Sequence, residues 1–318
     1  MLNIAVLDDY QNVAFECANW GDVAGKATIT MFNDHIHDWD SLVERLKDFE
    51  IICAMRERTP FPNEILHRLP NLQLLITTGM RNASIDVKAA NDQGVTVCGT
   101  DGLPHPTAEL AWGLILDLAR NISRENEAVK NGEWQTTMGV GLKGKTLGLI
   151  GLGNLGGQVA NYGNVFGMNV IAWSQNLTKE KAKEKNAKYA SLETLMAESD
   201  FISIHTVLSL RTKGLIDSSK LELMKKTSFL INTSRGPIVD ESALVNALEK
   251  NLIAGAGLDV FDLEPLPSEH PLITLGNTII TPHVGYVTKE TYKIFYEQTV
   301  ECITAFIQGN PIRVINPT

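Results

Sequence analysis

Residues 145–179 read KTLGLIGLGNLGGQVANYGNVFGMNVIAWSQNLTK, and from Thr146 to Thr178 there is no Asp, Glu, Lys or Arg in 33 residues. An uncharged run of that length raises the question of a membrane span. Gly, Asn and Gln are scattered through it, however, and its apolar residues fall in separate clusters, which is not the pattern of a bilayer helix. Leu147–Ile150 is a short apolar run of strand type, and Gly151, Gly153 and Gly156 follow at G-x-G-x-x-G spacing. Gln158–Phe166 continues as a helix and Asn169–Trp173 forms the next strand, which completes a βαβ unit. In such a unit the first glycine permits a tight turn, the second lets backbone approach a pyrophosphate, and the third lets the helix pack near the strand. Free amides of the first helical turn, Asn154 and Leu155 among them, then face the phosphates with the helix dipole behind them. The stretch predicts a dinucleotide-binding Rossmann unit.

The same alternation extends in both directions. Before it, Ile4–Leu7, Thr28–Phe32, Ile51–Met55, Leu72–Thr77 and Val95–Cys98 read as strands, with helices near Trp39–Leu46, Pro62–Leu69 and Ile85–Asn91. This half has no glycine fingerprint and is expected to bind something other than the dinucleotide. After GTDGLPHPTAEL (99–110), Pro106-Thr107 opens a helix through Arg120 whose apolar residues lie on more than one face. A subunit interface or packing within one large domain accounts for the extra faces equally well.

Beyond the glycine unit, strands are expected at Phe201–His205, Ser228–Asn232, Ala254–Val260 and Thr278–Thr281. Helices are expected at Thr178–Lys188, Leu192–Glu198, Ser218–Met224, Asp240–Glu249 and Lys289–Gln308, followed by a short polar tail at Pro311–Thr318. The fold class is α/β, with mainly parallel sheets flanked by helices and a doubly wound coenzyme domain.

At 318 residues the chain has room for two domains, and 44% hydrophobic with 20% charged residues is an ordinary globular balance. The net charge of −9 without a basic run argues against nucleic acid. Cys17, Cys53, Cys98 and Cys302 are widely spaced and suggest reduced, buried thiols rather than a zinc site or disulfides, so no metal is expected. The N-terminus MLNIAVLDDYQ lacks the features of a signal sequence, which points to the cytoplasm.

Four ordered motifs carry a further reading: GLGNLG at 151–156, NTSRGPIVDE at 232–241, GLDVFDLEPL at 257–266 and TPHVGY at 281–286. Together they resemble the D-isomer-specific 2-hydroxyacid dehydrogenase family, over nearly the whole chain. The resemblance implies a substrate domain of residues 1–98 completed by 288–318, a dinucleotide-binding domain of residues 99–287, and a cleft between them. It implies NAD(P)-dependent interconversion of a 2-oxo acid and its D-2-hydroxy acid. Arg235 then matches the substrate-binding arginine, a planar fork suited to a carboxylate and carbonyl. His283 matches the acid/base, and Glu264 its partner. The family's substrate loop aligns with TTGMRNASID at 77–86, which places Gly79 and Met80, with Thr78 beside them, at the substrate carboxylate. The same resemblance assigns Thr107, His205, Thr206, Thr212, Thr233 and Asp259 to the coenzyme pocket. Taken alone, an Arg after a strand is usually a surface residue and a lone His a packed one; motif context singles these out. Arg56, Arg58 and Arg81 are left outside the catalytic set.

One departure concerns the coenzyme. NAD-selective folds of this kind carry an acid at the end of the second strand, on the adenine ribose. Here that strand ends Ala172-Trp173-Ser174-Gln175-Asn176, with no carboxylate to repel a 2′-phosphate. Ser174, Asn176 or Lys179 could hold such a phosphate by hydrogen bonds or charge, with Ser174 taken as the ribose residue; NAD against NADP stays open, with a slight lean towards NADP being accepted. A homodimer is the expected assembly, with a small 2-oxo or 2-hydroxy acid as partner and no membrane. The rival class is a dinucleotide-sensing corepressor of the same fold, against which the complete catalytic trio stands.

Overall fold

The structure is a computed structural model describing residues 1–316, which divide into two compact units. Within the described residues, one unit comprises Met1–Leu103 with residues 287–316, the other Pro104–Tyr286.

The first unit is built on a five-stranded parallel sheet: β1 (Leu2–Val6), β2 (Ala27–Met31), β3 (Ile51–Ala54), β4 (Leu74–Thr77) and β5 (Thr96–Gly99), in the order β2-β1-β3-β4-β5. All residues of β3 and β4 are buried, as expected for strands covered on both faces. Helix Trp39–Leu46 buries Leu42, Val43 and Leu46, and its first turn is capped by Asp38, whose carboxylate accepts from the Ser41 amide at 2.8 Å. Helix Lys289–Ile307 returns to this unit and buries Tyr292, Phe295, Tyr296, Val300, Cys302 and Ile303. The polar tail expected at 311–318 is not loose where it is described. Gly99 donates to the Arg313 carbonyl and Ile315 to that of Val97, so this segment lies antiparallel along the edge strand β5. Residues 317–318 of that tail lie outside the described residues.

The second unit holds a seven-stranded parallel sheet: β6 (Thr146–Ile150), β7 (Asn169–Trp173), β8 (Lys188–Tyr189), β9 (Phe201–Ile204), β10 (Phe229–Asn232), β11 (Gly255–Leu258) and β12 (Thr278–Ile280). The order is β12-β11-β10-β9-β6-β7-β8, so the chain winds outward from β6 through β7 and β8, then returns to β9 and winds the other way. This is the doubly wound arrangement, and its switch point lies between β6 and β9.

The helix after β6 spans Asn154–Val165 and begins four residues earlier than expected, directly from the glycine turn. Helix His105–Arg120 packs within this unit: Trp112 lies 5.9 Å from Tyr162 and 4.9 Å from Phe166 between ring centroids, and Leu110 and Leu116 join the same core. Its extra apolar faces are therefore largely used inside the unit. Among the described residues no helix is long and apolar enough to cross a membrane.

All four cysteines are free, but Cys17 is only half-buried, whereas Cys53, Cys98 and Cys302 are buried as expected. Burial pushes the Cys53 thiol up, away from the reactive thiolate.

Candidate active site

The glycine turn sits at the switch point of the second unit. Gly151 has φ +100°, and a Cβ there would lie 2.6 Å from the carbonyl carbon of His205, which follows β9. A Cβ on Gly156 would stand 2.0 Å from the Gly151 carbonyl oxygen. Both glycines are therefore required by the protein's own close packing. Gly153 is not: its φ is −76°, and a Cβ on it would meet nothing within 4 Å. That open space above the turn is the room a phosphate group needs. No side chain caps the Asn154–Val165 helix, and the first amide with a helical acceptor is Gly157, which bonds to Gly153. The amides of Asn154, Leu155 and Gly156 are thus left without helical acceptors, the feature through which helix N-termini take anions.

Thr233, directly after β10 and two strands over from β6, has a hydroxyl oxygen that is buried without a hydrogen-bond partner among the described residues. An orphaned buried hydroxyl costs roughly 1–3 kcal/mol unless a ligand satisfies it, which fits a coenzyme-lining role. These observations fit the dinucleotide that the motif implies; when bound, it supplies the hydride.

The remaining expected coenzyme residues divide by what their side chains do. His205 Nε2 lies 2.9 Å from the Ser203 hydroxyl, and burial depresses its imidazole to about 4. It is a neutral wall behind the glycine turn. The Thr206 carbonyl accepts from the Ser234 hydroxyl, tying the loops after β9 and β10 together. Thr212 is occupied locally, its hydroxyl donating to the Val207 carbonyl at 2.7 Å and accepting from the Ser209 amide at 2.8 Å. Ser174 ends β7 in a turn in which its carbonyl accepts from the Leu177 amide. Thr107 packs at Gly285, with its hydroxyl 3.2 Å from where a Cβ would stand.

Asp259 is 1% exposed and accepts from the Thr281 hydroxyl at 2.6 Å and from the Val284 and Gly285 amides at 2.8 and 2.9 Å. Burial raises its pKa, and these donors oppose the rise. Its side chain is a staple for residues 281–285. Those residues carry His283 at φ +53°, a left-handed conformation costly for a side chain of this kind and held here by the staple.

His283 Nδ1 then meets Glu264 Oε2 at 2.6 Å, and the other Glu264 oxygen accepts from the Phe261 amide at 2.9 Å. Tyr286 sets its ring edge-on to the imidazole, 5.8 Å between centroids. With Nδ1 engaged, Nε2 is the nitrogen left for a proton donated to a substrate.

Arg235 stands at the start of the loop after β10 with an extended backbone. Its carbonyl accepts from Asn232 Nδ2 at 2.9 Å and its Nη1 donates to the Ser234 carbonyl at 2.7 Å. The next residue, Gly236, leaves no room for a Cβ, which would lie 2.1 Å from the Phe261 carbonyl carbon. This contact brings the Arg235 loop against the loop that carries Glu264. Among the described residues, no group of three or more His, Cys, Asp or Glu could hold a metal ion.

The candidate substrate turn belongs to the first unit. Thr78 donates its amide to the Ala54 carbonyl, and Gly79 donates its own to the Thr100 hydroxyl at 2.9 Å. The amides of Thr78 and Gly79 are thus engaged within the unit, whereas the substrate loop was expected to present Gly79 and Met80 to a carboxylate. Gly79 has φ +93°, and the Arg56 guanidinium lies where its side chain would be, donating from Nη1 to the Thr78 carbonyl at 3.2 Å. Arg58 donates to the Asp8 carbonyl at 2.7 Å and stacks on Tyr10 at 4.5 Å. Both arginines thus have structural work in this unit. Ser203, Asn232, Ser234 and Tyr286 were not singled out in the sequence; the last three lie inside or beside the quoted motifs, which was the available signal.

A neutral histidine near the turn has a measurable consequence. His205 takes up a proton near pH 6.5 when unfolded but only near pH 4 when folded. Its folded pKa is depressed, so stability is full above about 6.5 and is lost as the pH falls towards 4. The melting temperature is expected to drop by a few degrees across this window, and His205→Gln should flatten the drop. An identical acid slope in the variant would show that the ring is not the group responsible.

A family model described as "D-isomer specific 2-hydroxyacid dehydrogenase, NAD binding domain" matches residues 112–285. The chain is 41% identical to a glyoxylate reductase of Aeropyrum pernix over 264 residues, 80% of this chain and 79% of that protein. Among solved structures, a phosphoglycerate oxidoreductase from Vibrio cholerae o395 superposes with a TM-score of 0.90 at 38% identity, covering 97% of this chain and all of that one. A D-lactate dehydrogenase from Aquifex aeolicus, complexed with NAD and lactic acid, gives 0.78 at 27% identity over 99% of this chain and 100% of that one. The glycine turn, the Glu264–His283 contact and these likenesses agree, and the chain belongs to the D-isomer-specific 2-hydroxyacid dehydrogenase family, NAD-dependent oxidoreductases of 2-oxo and 2-hydroxy acids.

Proposed function

We propose that Arg235, His283 and Glu264 carry out reduction of a small 2-oxo acid to the D-2-hydroxy acid. Arg235 grips the carboxylate and carbonyl oxygen through its two-pronged guanidinium and draws charge towards that oxygen. As hydride reaches carbon 2 and the carbonyl π pair moves to oxygen, His283 delivers its Nε2 proton to the forming alkoxide. Glu264 fixes the ring and offsets the charge of the imidazolium. In the reverse direction the neutral ring removes the hydroxyl proton. The observation that carries this reading is the 2.6 Å contact between Glu264 and a His283 held in a left-handed conformation. Met80, in the turn with Thr78 and Gly79, is proposed to bind the substrate carboxylate, which makes the first unit the substrate unit.

The relatives' names cover glyoxylate, phosphoglycerate and lactate, which share the 2-oxo or 2-hydroxy acid core. The proposal is confined to that core. No carboxylate follows β7, so we infer that NADPH is accepted beside NADH, with Ser174 at the ribose. The four free cysteines support a reducing compartment, the cytoplasm. Steady-state rates with a panel of 2-oxo acids and both coenzymes test all of this: turnover with at least one acid is expected. Tight coenzyme binding with no turnover would favour the sensing protein, a reading for which no observation of its own speaks.

We also propose a homodimer through the second unit. Glu125 accepts from the amides and hydroxyls of both Thr136 and Thr137, and Val140 donates to the Ala119 carbonyl. This pinned strap holds Trp134 77% and Met138 94% exposed, beside exposed Ile122 and Val129. Apolar side chains fixed in that position are the mark of a covered surface. Light scattering is expected to give about twice the 34.9 kDa chain mass, falling to one chain in Trp134→Glu/Met138→Glu. A wild-type mass of one chain would contradict it.

A further inference from the structure

The coenzyme's diphosphate carries two negative charges, yet Thr146 to Thr178, the stretch that forms its cradle, holds no Lys or Arg. The helix dipole and amides of Asn154–Val165 supply only partial charge. The fold brings one full cation to this place from outside the stretch. Lys185, just past the short helix Lys179–Glu184, reaches back so that its Nζ donates to the Gly153 carbonyl at 2.8 Å. Its stem lies across the first turn of the neighbouring helix: a Cβ on Gly157 would stand 3.2 Å from the Lys185 nitrogen and 3.3 Å from Cδ. The adjoining backbone is fixed too, because the Asn186 carbonyl accepts from Asn164 Nδ2 at 3.0 Å.

This placement runs against the usual electrostatics of a helix. Cations are favoured at the C-terminal end and disfavoured beside the positive N-terminus. Among the described residues no carboxylate pairs with the Lys185 ammonium within 4.0 Å. An ammonium held by the Gly153 carbonyl at the first turn of a helix whose leading amides lack acceptors, where Gly153 has open space above it, is explained by an anion that completes the group. We propose that Lys185 is a coenzyme-binding residue, serving the diphosphate common to NADH and NADPH. It rests on the dehydrogenase reading above. In the free protein the ammonium braces the glycine turn through Gly153; with coenzyme bound, it supplies the positive charge that the cradle's own sequence lacks.

Lys185→Met and Lys185→Arg test this by direct binding, with coenzyme fluorescence titrated against protein and ADP-ribose as a competitor that keeps the diphosphate but lacks the nicotinamide. Lys185→Met is expected to raise Kd for NADH, NADPH and ADP-ribose by a similar factor, about tenfold for one charged phosphate contact near the surface. The loss should shrink as salt is added, since screening weakens the contact in the wild type. Lys185→Arg should recover most of the affinity. Unchanged Kd values with a lowered melting temperature would mean that Lys185 only ties two helices together, which overturns the proposal. A loss confined to NADPH would place the ammonium at the 2′-phosphate and overturn it as well. Failure of the wild-type protein to bind NADH would instead sink the dehydrogenase reading, so the two failures are distinguishable.

Discussion

Replacing His283 with alanine is expected to lower kcat by about 10² or more, with coenzyme Kd unchanged. The expectation follows from geometry. Nδ1 is held by Glu264 at 2.6 Å, the backbone of residues 281–285 is stapled to Asp259, and the ring edge is packed by Tyr286. All of that structure aims one nitrogen, Nε2, and an alanine keeps the loop while removing the proton. Because Asp259 holds the loop through the Thr281 hydroxyl and the amides of Val284 and Gly285, the variant should fold and melt like the wild type. A fall in kcat with an intact melt assigns the proton to His283. Unchanged turnover would remove it from the mechanism.

Arg235→Met should cost more in kcat/KM, roughly 10² to 10³, corresponding to about 3–4 kcal/mol for loss of a two-pronged charged contact on the substrate. The backbone at this position is set by Asn232 and by the contact of Gly236 with Phe261, neither of which uses the guanidinium, so the loop should survive the change. KM for the 2-oxo acid is expected to rise and kcat to fall together if, as proposed, the same group binds the acid and draws charge to its carbonyl oxygen. Arg235→Lys should recover only part of the loss, since an ammonium is a point charge without the planar fork. A variant that loses neither KM nor kcat would place Arg235 outside the substrate site, whatever the rest of the loop does.

Much of this was legible in the sequence because it is local. The β6–glycine–β7 unit announces itself through spacing, and helices Trp39–Leu46 and Leu192–Glu198 occupy the expected residues because Asp38 and Ser191 cap them within three residues. Where glycine is dense the local signal fails. The helix from Asn154 starts inside its own glycine motif, since packing against β6 and His205 overrides the poor helix propensity of Gly156 and Gly157. The edge strand Lys188–Tyr189 is exposed and carries no apolar alternation to find.

The site divides in the same way. Motifs pointed to Arg235, Glu264 and His283, of which the structure brings Glu264 and His283 into contact, but how side chains and amides are used depends on partners far along the chain. Asp259 spends its carboxylate on residues 22 to 26 positions later, and the Gly79 amide spends itself on Thr100, 21 positions away. Lys185 meets Gly153 across 32 residues. Pairings of that range follow from the winding of the sheet and leave no trace in neighbouring residues.

The proposed roles of Arg235, Glu264 and His283 all depend on one step, the passage of hydride to carbon 2 of a 2-oxo acid at this site. Mass spectrometry of the hydroxy acid formed from whichever 2-oxo acid of the panel is turned over, with NADH carrying deuterium at the transferred position of nicotinamide C4, tests it directly. One deuterium on carbon 2 of the hydroxy acid, with the amount of labelled product lowered about 10²-fold or more in the Arg235→Met and His283→Ala reactions over the same interval, is the expected result. A hydroxy acid without deuterium, or as much labelled product from both variants as from the wild type, would contradict the account.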